Sequence, residues 1–170
     1  MVISFVPDRG LNSAAGLSRH PPRLNPEAAV LGQALRAAGV PLISITNTAR
    51  RGETWTSVIR SLGGPEFLHV VTSCEVGHGK PRPEIFQEAA RRLGLPPREI
   101  LHVGDRWDLD VEGALRAGFG AGLYTGLWAS YPDEVDAGPD PPNGEAGPGV
   151  PEVLRIGNLE ELLDSGRFVA

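Results

Sequence analysis

The stretch ILHVGDRWDLDVEGALRAG, from Ile100 to Gly118, decides how this chain reads. Residues 100–103 form a short unbroken apolar run, the pattern of a strand buried on both faces. The run stops at Gly104, and Asp105, Asp108 and Asp110 follow at once. A helical pattern over about 109–117 then ends at Gly118, the residue type that most readily closes a helix. Like charges crowded at the end of a buried strand repel unless a cation neutralises them. Mg²⁺ suits such a place, because it takes oxygen ligands, usually one or two carboxylates with waters and a phosphate. Taken singly, each aspartate also has a local explanation. Asp105 can cap the helix, and Asp108 and Asp110 can sit in its first turn, where the dipole favours acids.

Outward from this stretch the same alternation repeats. Residues 2–6 read as a strand, and Pro7 to Leu24 as a loop rich in Pro, Gly, Ser and Asn. Asn25-Pro26 starts a helix, Asn as cap and Pro in the first turn. That helix carries Val30, Leu31, Ala34, Leu35 and Ala38 on one side and stops at Gly39. Residues 41–45 are a second strand. Trp55, Val58, Ile59 and Leu62 recur at helical spacing before Gly63-Gly64. Residues 67–71 are a third strand, and Pro83 opens a helix with Ile85, Phe86, Ala89, Ala90 and Leu93 inward, closed by Gly94. Residues 100–103 are the fourth strand and 120–124 the fifth. Residues 131–151, rich in Pro, Gly and acids, read as a surface loop. A short last strand over 153–156 precedes Asn158 and Glu161, the spacing of a capping box. The whole predicts an α/β chain with a parallel sheet of about five strands covered on both faces.

Composition narrows the function classes. The chain has 170 residues, 41% of them hydrophobic, enough for one domain with a sizeable core. The net charge is −5, and no basic patch suggests nucleic acid. A single cysteine, Cys74, excludes an internal disulfide framework and points to a reducing compartment. No run of about 18 apolar residues suggests a membrane span, and the first residues lack a signal-peptide pattern. A cytoplasmic setting is the expectation. One count is sharper: 15 arginines accompany a single lysine, Lys80. An ammonium is compact where a guanidinium is broad, so a lone lysine fits a place that arginine cannot fill.

In parallel sheets ligands bind beyond the carboxyl ends of the strands, so the residues there matter most. They are Asp8 after the first strand, Thr46-Asn47-Thr48 after the second, Lys80 in GHGKPRPEIF after the third, and Asp105 after the fourth. A hydroxyl, an ammonium and carboxylates on one edge suit a bound phosphoryl group. Other residues read as structural. His69 and His102 lie within strands and are expected in the core, His78 in an ordinary loop. Cys74 has no neighbouring base and is expected to be a buried thiol. Trp107, at the mouth of the site, is placed either to pack over the helix start or to stack on a substrate.

The set resembles the haloacid dehalogenase-like hydrolases, most of which are phosphatases. The likeness runs from about Asn25 to Gly122. The family's fourth motif, Gly-Asp followed by a further Asp, corresponds to Gly104-Asp105 and Asp110. Its third, a Lys often followed by Pro, corresponds to Lys80-Pro81. Its second, a Thr or Ser after a strand, corresponds to Thr46. The resemblance implies a Rossmann-like three-layer domain and a phosphoryl group held by Thr46 and Lys80, with Asn47 lining the same pocket. It also implies Mg²⁺ held by Asp105, with Asp110 supporting the metal's water shell or the lysine.

The family's first motif, Asp-x-Asp-Gly-Thr, is altered. In FVPDRGL the better alignment puts Val6 at the nucleophile position and Asp8 at the acid/base position, where it would also serve the metal. Arg9 then replaces Gly, and Gly10 replaces Thr. Shifted by two residues, Asp8 becomes the nucleophile and Gly10 takes the acid/base place. Only 38 positions separate Asp8 from Thr46, too few for the cap domain that many relatives insert there, so the resemblance is to a capless type with an open site. Two functions follow. One is a Mg²⁺-dependent phosphatase of a small or macromolecular phosphate monoester, with impaired activity. The other is a catalytically dead relative that binds a phosphorylated ligand or a protein partner. A dehalogenase is a third reading, disfavoured because that chemistry needs no metal acids.

Overall fold

A computed structural model describes residues 2–4, 8–9, 23–126, 153–158 and 161–164. Its strands are β1 (Val2–Ser4), β2 (Asp8–Arg9) and β3 (Arg23–Leu24), then β4 (Leu42–Thr46), β5 (His69–Thr72), β6 (Ile100–Gly104), β7 (Gly120–Tyr124) and β8 (Val153–Ile156). The helices are α1 (Pro26–Ala37), α2 (Gly52–Ser61), α3 (Ser73–Val76), α4 (Pro83–Leu93), α5 (Glu112–Arg116) and α6 (Glu161–Asp164). Six strands form one parallel sheet in the order β5-β4-β1-β6-β7-β8. The expected last strand thus joins the sheet as its sixth member, beside β7. The expected loop at 131–151 lies outside the described residues.

Alternate residues of each strand enter opposite layers, as period-2 side chains must. Ile43, Ile45, Val71, Ile100, Ala121 and Leu123 pack with Ile85, Phe86 and Ala89 of α4 and Ala114 of α5. Leu42, Leu101, Val103, Tyr124 and Ile156 pack with Ala28, Leu31 and Leu35 of α1 and Leu162 of α6. Trp55 and Ile59 of α2 cover Val70. The result is a sheet between two helical layers.

Local chemistry explains the helices. Asn25 Oδ1 accepts the N–H of Glu27 at 3.0 Å, capping α1 with Pro26 in its first turn. The buried stripe of α1 is Ala28, Leu31, Gly32 and Leu35, while Val30 is 54% exposed and Ala38 is also at the surface. The expected side was therefore turned by about one residue. Pro83 opens α4, and Gly94, at φ 65°, closes it in the left-handed conformation that glycine adopts without strain. The start of the chain also differs from expectation. β1 covers Val2–Ser4 of the expected strand, whose remaining residues lie outside the described ones. Asp8–Arg9, expected in a loop, pairs antiparallel with Arg23–Leu24 in a separate two-stranded unit.

The order places β1 between β4 and β6. In chain order the strands run from β1 outward through β4 to β5, then cross back to β6 on the other side of β1 and run outward through β7 to β8. The switch point lies between β1 and β6, with the carboxyl end of β4 next to β1.

Candidate active site

The site grows from three strand ends. Thr46 is the last residue of β4, fully buried and in register with Thr72 of β5. Asp105 follows β6 directly and is half-buried. Beyond it the chain makes a π turn, Trp107–Val111, in which the N–H of Val111 reaches the carbonyl of Arg106 at 3.3 Å. This wider turn replaces the first part of the helix expected from about 109, and α5 begins only at Glu112. The turn carries Asp110 back over the end of β6. A Cβ on Gly104 would lie 2.2 Å from Asp110 Cγ, so glycine is the residue that lets the carboxylate in.

Asp110, 1% exposed, is the hub. Its Oδ1 accepts from Lys80 Nζ at 2.5 Å and lies 3.0 Å from His102 Nε2. Its Oδ2 accepts the backbone N–H of Arg106 at 3.1 Å. Burial pushes the Asp110 carboxyl up, but the Lys80 charge and the His102 hydrogen bond outweigh it, and the group titrates well below the ordinary carboxylate range. Burial pushes His102 down, and Asp110 offsets this only in part. A neutral imidazole then donates from Nε2, leaving Nδ1 buried with no partner among the described residues.

Lys80 is fixed at both ends. Its ammonium meets Asp110, and its backbone is clamped by Asn47. The Lys80 N–H donates to Asn47 Oδ1 at 2.7 Å, and Asn47 Nδ2 donates to the Lys80 carbonyl at 2.9 Å. A Cβ on Gly79 would stand 2.8 Å from Asn47 Oδ1, so a side chain there would push the two loops apart. The neighbouring Thr48 is tied in the same way, its N–H and carbonyl both bonded to Ser73 Oγ at 2.9 and 3.1 Å.

The sequence-derived candidates thus divide. Lys80 contacts both Asp110 and Asn47, while Thr46 ends β4 and Asp105 directly follows β6, the two strands that flank β1. The Asn47 side chain joins the site by holding the lysine backbone. Asp110, with both oxygens engaged, holds the lysine, which is one of its two expected roles. Asp8 has its backbone in β2, paired with Leu24, and the segment that joins it to β1 lies outside the described residues. Asp108 makes a two-bond ion pair with Arg106, at 3.0 and 2.9 Å. Trp107 is half-buried and packs against the core. His78 is exposed, His69 half-buried, and Cys74 is exposed on α3, against the expectation of a buried thiol.

The sequence pattern hides the role of one residue. His102 sits in the core as expected, yet its ring reaches Asp110. The signal was strand parity: His102 and Gly104 share a face of β6, and Asp110 returns over that face.

Known proteins bear on this geometry. The family model described as haloacid dehalogenase-like hydrolase matches residues 12–118, more than half of the chain. A glyceraldehyde 3-phosphate phosphatase of Methanopyrus kandleri is 49% identical over 85 residues, 49% of this chain and 36% of that protein. A phosphoserine phosphatase of Thermus thermophilus is 34% identical over 158 residues, 92% of this chain and 57% of that protein. The chain therefore spans less than two thirds of either relative. The crystal structure of an uncharacterized protein from Listeria monocytogenes serotype 4b superposes with a TM-score of 0.70 at 20% identity. That match covers 96% of this chain and 94% of that one, a likeness of fold.

Proposed function

Because the chain belongs to the haloacid dehalogenase-like hydrolase family, we propose that it is a phosphatase of a phosphate monoester, working through Thr46, Lys80 and Asp105. The observation that carries this reading is the Lys80–Asp110 pair, with the chain's one lysine anchored by Asn47 beside the switch point of the sheet. An ammonium has three N–H donors, and Asp110 takes one. In this reading another meets a phosphoryl oxygen, together with the Thr46 hydroxyl. Asp110 keeps the ammonium aimed.

The family implies Mg²⁺, and the donor chemistry fits a thinly held ion. Asp105 is a half-buried carboxylate at a strand end. The Asp110 oxygens already serve three donors. Among the described residues no three His, Cys, Asp or Glu side chains gather as a metal cage. Mg²⁺ commonly binds through one or two carboxylates, completed by waters and phosphate. Asp105 would hold it, with Asp8 as the second acid. Bound there, the ion would neutralise charge on the phosphoryl group.

Activity is expected to be slow, since Val6 occupies the nucleophile position on the better alignment of the first motif. Asp8 then serves as acid and base. Val6 also favours the second reading, a binding module for a phosphorylated ligand or protein partner without turnover. The site is read as capless, supported by the short interval from Asp8 to Thr46 and by the near full-length match to a small protein. Glyceraldehyde 3-phosphate and phosphoserine, named for the relatives, are the first esters to try.

The test is phosphate release from these esters and p-nitrophenyl phosphate, with and without Mg²⁺. Slow, Mg²⁺-dependent release that disappears in Asp105→Asn is the expected result. No release from any ester, with inorganic phosphate still bound, would establish the binding module instead.

A further inference from the structure

We propose that His102 is a positioning residue for Lys80, acting through Asp110. The role of the lysine as a phosphate ligand rests on the phosphatase reading; the positioning itself does not. Asp110 is held by Lys80 Nζ and His102 Nε2 on one oxygen and by the Arg106 N–H on the other. Without the imidazole, the carboxylate that should aim the lysine would be held mainly by that lysine. One backbone N–H would remain, and the carboxylate plane would be free to turn. His102 is the donor anchored in the sheet. It lies on β6 beside the switch point, fully buried. Its ring meets Phe86 edge-on at 5.2 Å and 90°, and Phe86 in turn meets Phe119 at 5.6 Å. The imidazole is therefore braced by Phe86, which is itself packed on Phe119.

The Nδ1 atom, buried with no partner among the described residues, strengthens the inference. An apolar side chain would fill this core position without stranding a buried polar atom, and stranding one is unfavourable. What histidine adds is the single bond from Nε2 to Asp110. Lys80, Asp110 and His102 thus form a line from the sheet interior to the site. The strand supplies rigidity, the π turn supplies the carboxylate, and the clamped loop supplies the cation.

The composition provides an unusual probe. Lys80 is the chain's one lysine, so lysine labelled with ¹⁵N at Nζ and ¹³C at Cε gives a single side-chain signal. That signal is followed in the wild type, His102→Leu, His102→Gln and Asp110→Asn, alongside inorganic phosphate affinity by calorimetry. The glutamine amide reaches about as far as Nε2 and keeps a donor; leucine fills space only. In His102→Leu the Lys80 signal is expected to move towards that of Asp110→Asn, and phosphate affinity to fall on the order of tenfold. In His102→Gln both are expected to recover most of the wild-type behaviour. Should the leucine variant fail to fold, His102→Asn, polar but too short to reach Asp110, takes its place. An unchanged Lys80 signal in a folded leucine or asparagine variant would overturn the proposal. Equal disturbance in the glutamine variant would overturn it as well, because packing alone would then explain the histidine. The lysine signal needs no substrate. A protein that hydrolyses no ester but shows the expected signals would sink the phosphatase reading and leave the positioning role standing.

Discussion

At Lys80 and Asp110 two buried charges depend on each other, with side chains 4% and 2% exposed. Removing one leaves the other uncompensated in the interior, which costs about 3–5 kcal/mol. Lys80→Met should lower stability by about that amount in chemical denaturation at neutral pH. The depressed Asp110 titration gives the pH sense: its stabilisation is present above the ordinary carboxylate range and is lost only deep in acid. Lys80→Arg tests shape rather than charge. Asn47 fixes the backbone at residue 80, so the broader guanidinium cannot back away to fit the same slot. Inhibition by inorganic phosphate or vanadate should weaken by about tenfold or more; an unchanged constant would make Lys80 a structural charge only. Gly104→Ala drives a Cβ into Asp110. It should displace that carboxylate and reproduce the phosphate-binding defect with the lysine still present.

Among the elements, α4 shows how sequence chemistry holds a helix in place behind the site. Glu88 accepts from Arg91 and Arg92 on its own helix, and Arg92 also reaches the Val70 carbonyl of β5 at 3.2 Å. These guanidinium hydrogen bonds, Arg91 foremost, hold Glu88 at about 2. The unfolded group titrates near 4.5. Its stabilisation is therefore complete above that value and fades as pH falls from there towards 2. Solvent screens pairs of this kind, so Glu88→Gln should cost only about 1 kcal/mol near pH 7. The difference from wild type should shrink steeply towards pH 2 and vanish only below it, and a constant difference across that range would refute the electrostatic account. At the opposite layer, Asn25 caps α1 and its Nδ2 donates to Tyr124 Oη at 3.2 Å. Asn25→Ala removes both bonds and should cost about 1–2 kcal/mol by thermal or chemical unfolding.

For the whole molecule, the sheet order brings residues far apart in sequence to one edge. Lys80 and Asp110 are 30 positions apart and Asn47 and Lys80 are 33. If Asp105 is the main metal acid, Mg²⁺ binding measured by calorimetry should be lost in Asp105→Asn and persist in Asp108→Asn, whose carboxylate pairs with Arg106. The first motif makes the opposite kind of prediction, a gain. Val6→Asp should raise or create phosphate release if residue 6 is the attacking position. Asp8→Asn should abolish any natural rate. Brisk hydrolysis that survives Asp8→Asn would put the attacking group elsewhere in the chain.

The amino-acid sequence by itself determined the alternation of strands and helices, because periodicity, caps and glycine stops act within a few residues. Residues 120–124 and 153–156 became strands where their apolar runs lie, and Pro83 and Gly94 bracket α4 as their backbone preferences require. It also singled out Lys80 and Asp110, since a lone lysine and a spaced acid are visible without coordinates. Only the tertiary structure decided how these groups meet. Val30 faces solvent because the layer beneath α1 is met one residue further round the helix. Asp110 turned inward because a π turn and a glycine made room for it. Asn47 was spent on the lysine backbone because two distant loops came side by side. His102 looked like an ordinary core residue until the chain folded Asp110 over its face. Such pairings depend on the order of strands in the sheet, and no short window of sequence carries that order.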